Sequence, residues 1–371
     1  MIDCRLLDLC HQAEAVLNNS KNLLGNMAKN VILLDATLRD GGQGLDDLFN
    51  NHFSDKFYTE ETKRKIIGLL SQSDVDIVEL GAMGPSADDK SKFAIYQNVK
   101  ELSKYLPEDR DPNKKYIGLY IGPDTDTDKI PDWNPSLVKY IRVILRYSEL
   151  RKSLEYCAAL AKKGYAMFVQ PMLTMRYSNE DLDLVLGMTN DMGAYACYFV
   201  DSYGYMEPKD IDRLFAYYDK KLNKDVKIGF HAHNNMNLAF SNVRSFLDID
   251  TGRELVVDAC ATGMGQGAGN LQTELIVPYL NERFGKHYNY EPILDVCEIL
   301  DNEMIPSNLW GYSVTRLLPA VYKTAYKYAL VMRNKYHLTF KEMNRILRDM
   351  PDDMRNRYTK DNLEQLISTL K

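Results

Sequence analysis

The sequence has little that would tie it to nucleic acid, a membrane or an oxidising compartment. Its 371 residues hold 46 Lys and Arg against 52 Asp and Glu, a net charge of -6, and no basic run concentrates the cations. A nucleic-acid surface depends on such a run, so that class is set aside. The six cysteines, Cys4, Cys10, Cys157, Cys197, Cys260 and Cys297, are scattered with no CxxC pair, and they read as reduced thiols. No stretch approaches the roughly eighteen apolar residues of a membrane span. The first thirty residues contain Asp3, Arg5, Asp8, His11 and Glu14 and lack a signal-like apolar core, so the expected location is cytoplasmic. No GxGxxG follows the first apolar run, which argues against a dinucleotide fold. Low-complexity segments are also lacking.

What is present is an alternation. Eight short β-rich runs occur: VILLDATL from 31, VDIVELG from 75, YIGLYIG from 116, VKYIRVIL from 138, YAMFVQPML from 165, AYACYFVDSYG from 194, VKIGFHAHN from 226 and LVVDACATG from 255. Most gaps carry an amphipathic pattern such as TKRKIIGLLSQ or PKDIDRLFAYYDKKL. Strand then helix, eight times over, predicts a (β/α)8 barrel over residues 30–285 rather than an open sheet. Residues 1–29 are expected to form a helical extension across the barrel bottom. Residues 286–371 turn helical and form an expected C-terminal subdomain. Its amphipathic segments and aromatic WGY start need an apolar partner, so it is expected to cover part of the barrel mouth and to join subunits into a homo-oligomer.

In such a barrel the C-terminal strand ends share one concave face, where chemistry collects. Arg39 and Asp40 are expected there, at the end of strand 1 and ahead of a long loop over 43–61. His231 and His233 end strand 7 two residues apart, so both imidazoles face the same way. An HxH pair alone is as well explained by two half-solvated histidines. Joined to a carboxylate from another strand end, it is a constellation for a metal with open coordination positions. The turn GMGQGAGN, 263–270, is either a tight barrel turn or a place where backbone approaches a ligand, with Asn270 presented toward the metal. Glu79, ending strand 2, either approaches the site or pairs with Arg39 and orients it, and Cys260 reads as core filler.

Four of these stretches, DATLRDG (35–41), VDSYG (200–204), GFHAHNN (229–235) and GMGQGAGN (263–270), resemble, in order, the motifs of the DRE-TIM metallolyases. Within them, GQGAGNLQTE and WGYSVTRLLPAVYK look most like 4-hydroxy-2-oxovalerate aldolase and its relatives. The resemblance implies that Asp40, His231 and His233 hold a divalent ion, Mn2+ or Mg2+, with Asn270 a fourth ligand. It further implies that Arg39 stabilises an enolate oxygen, and that Ser202 hydrogen-bonds a 2-oxo acid carboxylate. On its own, Ser202 is equally a turn hydroxyl.

One position departs from the aldolase pattern. Gln43 stands where that branch has a histidine proposed as acid/base, and glutamine cannot shuttle a proton. Gln43 is then expected among the substrate-binding residues, with His52, Tyr312 or a metal-bound water moving the proton. The reading is a metal-dependent aldolase that cleaves or forms a 4-hydroxy-2-oxo acid, through the enolate of pyruvate and an aldehyde partner. An acyl-CoA:2-oxo acid condensing enzyme or a 3-hydroxy-3-methylglutaryl-CoA lyase-like enzyme is the alternative, and a barrel that binds metal without turnover is the third.

Overall fold

The computed structural model describes residues 31–85, 90–111, 113–304 and 310–368; the helical extension expected over 1–29 lies outside the described residues. All eight runs form strands: β1 (Val31–Asp35), β2 (Ile77–Met83), β4 (Lys115–Tyr120), β5 (Tyr140–Leu145), β6 (Ala166–Pro171), β7 (Ala196–Asp201), β8 (Lys227–Ala232) and β9 (Leu255–Ala259). They pair in parallel in the order β1-β9-β8-β7-β6-β5-β4-β2, and β2 returns to β1 to close the ring; a two-residue strand, β3 (Ile95–Tyr96), extends β2 at its end. The protein is a TIM barrel.

Strand alternation divides the side chains between two cores. Leu33, Val78, Tyr120, Val143, Val169, Phe199 and Val257 face outward onto the helices. Ile32, Leu34, Ile77, Ile117, Phe168, Tyr198 and Val256 face inward and fill the barrel floor.

The stretch after β1 corrects the expectation of a long loop. Thr37–Asn50 is a helix that starts directly after the strand, so Arg39 and Asp40 occupy its first turn and residues 43–50 are helical. Gly41, Gly42 and Gly44 disfavour a helix by about 1 kcal/mol each, which is why the sequence reads as loop. Tertiary contact overrides that preference. A Cβ on Gly42 would lie 1.9 Å from the carbonyl oxygen of Phe93, so only glycine lets this helix seat against the chain that follows β2.

Asp35 fixes the junction, accepting from the Thr37 N–H (3.0 Å) and the Thr273 hydroxyl (2.7 Å).

The helix Glu291–Glu303 packs into the main core through Ile293, Val296 and Leu300. The helices beyond it build a small core of their own around Tyr328, Met332, Met343, Leu347 and Leu363. This tail lies on the C-terminal face of the barrel. The Trp310 indole donates to the Thr262 carbonyl (2.9 Å), Asn235 Nδ2 to the Arg316 carbonyl (3.1 Å), and Lys327 pairs with Asp47 (2.7 Å). Among the described residues no helix is long and apolar enough to cross a membrane.

Candidate active site

Three elements converge above the barrel floor. Asp40 comes from the helix after β1, His231 from β8 and His233 from the extended residue directly beyond it, and their ligand atoms all lie within 4.8 Å of one another. Each histidine has one ring nitrogen engaged elsewhere. His231 Nδ1 donates to Asp258 (2.9 Å) and His233 Nδ1 to the Asp201 carbonyl (2.9 Å), which leaves both Nε2 lone pairs for the shared space. His231 Nε2 stands 3.2 Å from Asp40 Oδ2.

Asn270 joins them through a backbone bridge to His233, and its Nδ2 donates to Asp40 (2.8 Å) and to the Met264 carbonyl (3.0 Å). Close approach requires Gly265, because a Cβ there would fall 2.3 Å from Asn270 Nδ2. The Asn270 Oδ1 is buried without a hydrogen-bond partner. A carboxylate, two imidazoles and a free carboxamide oxygen are a donor set that fits a divalent metal ion.

Arg39 sits beside this set, held by Glu79 (2.7 Å) and Asp40 (2.8 Å), with Gln43 Oε1 at 3.4 Å. Its Nη2 is buried and unpaired. Of the two roles open to Glu79, the geometry shows the one that orients Arg39.

A buried charge network supports the site from below, and two of its members escaped sequence reasoning. Arg142, on β5, pairs with Glu79 (3.3 Å) and with Asp258 on β9 (2.5 Å), and also donates to Gln170 (2.6 Å). Asp258 in turn holds His231. The available signal was a single charge at an inward position of an otherwise apolar strand, in YIRVIL and LVVDACA.

Three carboxylates (Asp40, Glu79, Asp258) face two guanidiniums (Arg39, Arg142), leaving one negative charge, 3 − 2 = 1. The titrations follow this sum. Burial pushes Asp40 and Asp258 up, but Arg39 and Arg142 respectively, together with His231, more than offset it and hold both well below the usual range. Burial pushes His231 down, yet Asp258 and Asp40 raise it above its ordinary value. Burial and the neighbouring His231 lower His233 to about 4.

The remaining expected residues separate. Ser202 follows the carbonyl that holds His233, and its hydroxyl accepts from the Leu173 N–H (2.8 Å), leaving its own proton free to donate. His52 is exposed just past the end of the helix, whose rise carries Asn50 about 15 Å beyond Asp40. Tyr312 is 55% exposed. The structure brings neither into the cluster. The cluster itself is less open than a strand-end face suggests, with Arg39 and His231 each 2% exposed and Asp40 4%.

Two further carboxyls at strand ends set a pH dependence. Burial raises Asp35 to about 6 and Asp201 to about 7, against the hydrogen bonds each accepts. In the folded chain they keep protons that the unfolded chain releases near pH 4, so their stabilisation is full below that pH and is lost as pH rises through 6 to 7. The raised His231 acts with the same sign; the lowered His233 acts with the opposite one, against the three groups that are raised. Metal-stripped protein is therefore expected to melt at a lower temperature at pH 8 than at pH 5.5; the opposite trend in a melting series would show that both carboxyls ionise in the folded state.

The fold and site together define a barrel with a carboxylate–imidazole metal-binding face, the class of the metal-dependent lyases. Comparison with known proteins gives the family. The HMGL-like profile matches residues 140–304. A 4-hydroxy-2-oxovalerate aldolase of Geobacillus genomosp. 3 is 30% identical over 271 residues, covering 72% of this chain and 74% of its own. An oxaloacetate decarboxylase of Mycobacterium tuberculosis is 26% identical over 264 residues, 68% of this chain and 70% of its own. Among solved structures, the N-terminal domain of a putative aldolase from Bacteroides vulgatus matches with a TM-score of 0.67 at 23% identity, over 82% of this chain and 98% of that one. The Bacillus subtilis HMG-CoA lyase matches with a TM-score of 0.58 at 16% identity, over 74% and 94%. The chain belongs to the HMGL-like, DRE-TIM metallolyase family.

Proposed function

We propose that this protein is a divalent-metal-dependent aldolase that breaks or forms the C3–C4 bond of a 4-hydroxy-2-oxo acid through a pyruvate-type enolate. The observation that carries the reading is the unpaired Nη2 of Arg39, buried beside the Asp40, His231 and His233 cluster. A buried guanidinium nitrogen with no partner is a donor waiting for an anionic oxygen.

Asp40, His231, His233 and Asn270 would hold the ion, which supplies Lewis-acid stabilisation to the 2-oxo group. Arg39, fixed by Glu79 and Asp40, places its free N–H on the oxygen where negative charge develops. The Ser202 hydroxyl donates to the substrate carboxylate. In cleavage the 4-hydroxyl loses its proton, the C3–C4 pair moves into the enolate, the aldehyde leaves, and C3 takes up a proton to give pyruvate.

Gln43 favours a second reading. It lies by Arg39 and its carboxamide cannot act as a base near neutral pH, so the removal of the 4-hydroxyl proton falls to another group. Decarboxylation of a 3-carboxylated 2-oxo acid reaches the same enolate with no hydroxyl proton to remove, since carbon dioxide departs and leaves its electron pair on C3. The oxaloacetate decarboxylase relative accords with this route.

Mn2+-loaded protein in D2O is expected to exchange the methyl protons of pyruvate, and a chelator should stop it. Aldol cleavage then distinguishes the first reading from release of carbon dioxide from oxaloacetate, the second. Arg39→Lys keeps the charge but loses the planar fork, so exchange should slow by about a hundred- to a thousandfold with Mn2+ affinity little changed. A lysine variant that melts early and exchanges normally would reduce Arg39 to the structural partner of Glu79.

A further inference from the structure

The triad is enclosed, but the helix that begins there leads outward. Arg39, Gln43, Asp46, Asp47 and Asn50 recur every three or four residues along Thr37–Asn50 and so form a stripe on one face. The stripe rises about 16 Å from Arg39 to Asn50. From Gln43 onward it forms one wall of an open cleft of about 390 Å³, with Lys90, Asp124, Arg146, Gln266 and Lys327 on the others beside the apolar Pro85, Ile95 and Ile121.

Every charge on this cleft is matched. Lys90 pairs with Asp46 (2.8 Å), Lys327 with Asp47 (2.7 Å) and Arg146 with Asp124, so three cations and three carboxylates sum to zero. These groups are only partly covered and keep hydrogen-bonding capacity toward the cleft.

We propose that the cleft seats the aldehyde partner, and that this partner is a neutral, polyhydroxylated aldehyde of several carbons; the inference rests on the enolate reading above. A short aliphatic aldehyde would meet only Pro85, Ile95 and Ile121 and leave the charged and amide groups of the cleft facing water. A phosphorylated aldehyde would meet no net positive field, because each cation is already matched by a carboxylate. Hydroxyl groups donate to Asp46, Asp47 and Asp124 and accept from Lys90, Arg146, Lys327 and the amides of Gln43, Gln266 and Asn50. A chain with a hydroxyl on each successive carbon suits that mixture of donors and acceptors along a helical stripe.

The test uses the full 371-residue chain loaded with Mn2+. Condensation of pyruvate with acetaldehyde, erythrose and erythrose 4-phosphate is followed, with pyruvate proton exchange in D2O measured on the same preparation. The kcat/KM for erythrose is expected to exceed each of the others by at least about tenfold, since sites built for substrate hydroxyls reject analogues lacking them. Asn50→Leu should lower the erythrose-to-acetaldehyde ratio severalfold. If pyruvate exchanges but condensation with acetaldehyde equals or exceeds that with erythrose, or the phosphorylated aldehyde is preferred, this inference alone is overturned. Absence of exchange overturns the enolate reading and the inference with it.

Discussion

Asp40→Ala is expected to lower turnover by at least about a hundred- to a thousandfold, the cost of losing one electrostatic group at the reacting centre, while the barrel stays folded. Asp40 faces His231, Arg39 and Asn270 at once, so its loss removes the carboxylate of the proposed metal site and one of two carboxylates that hold Arg39. Folding should tolerate the change because of the charge sum. Removing one of three buried carboxylates leaves two against two guanidiniums, and Arg39 keeps Glu79. Mn2+ titration, thermal melting and turnover on one preparation check the separation; an alanine variant that binds Mn2+ and turns over normally would remove Asp40 from the site.

Arg142→Met should act in the opposite sense, with stability lost first. Arg142 is fully buried and bridges Glu79 and Asp258, so its removal leaves three carboxylates and one guanidinium inside the barrel. Breaking a buried ion pair from one side costs about 3–5 kcal/mol. Urea unfolding of the variant measures this loss, and adding Asp258→Asn should recover part of it by removing one unpaired charge. A single variant that loses less than about 1 kcal/mol would mean that water or protonation relieves the network, and that it does not rigidify the site.

These contrasting outcomes explain why part of the site was legible and part was not. The eight apolar runs became the eight barrel strands because a parallel strand covered on both faces needs continuous apolar sequence. His231 and His233 share a face for a local reason, the two-residue period of a strand. Arg142 and Asp258 are separated by 116 residues, and no local pattern marks them as partners. His52 was read from an expected loop and Tyr312 from the tail motif; a helix rise of about 1.5 Å per residue carries the chain at His52 away from Asp40, and Tyr312 is exposed in the tail.

The sequence by itself therefore determined the barrel and the residues that gather in its carboxylate–imidazole cluster, because alternation and strand-end placement are short-range properties. The tertiary structure alone decided three other features. It turned a glycine-rich stretch into a helix by packing Gly42 against Phe93, where close contact outweighs an unfavourable propensity. It closed the charge network across the barrel interior, since ion pairs between distant strands exist only once the ring is formed. And it laid the helix from Gln43 to Asn50 along an open cleft, because the direction of a helix is set by what it packs against and not by its own residues.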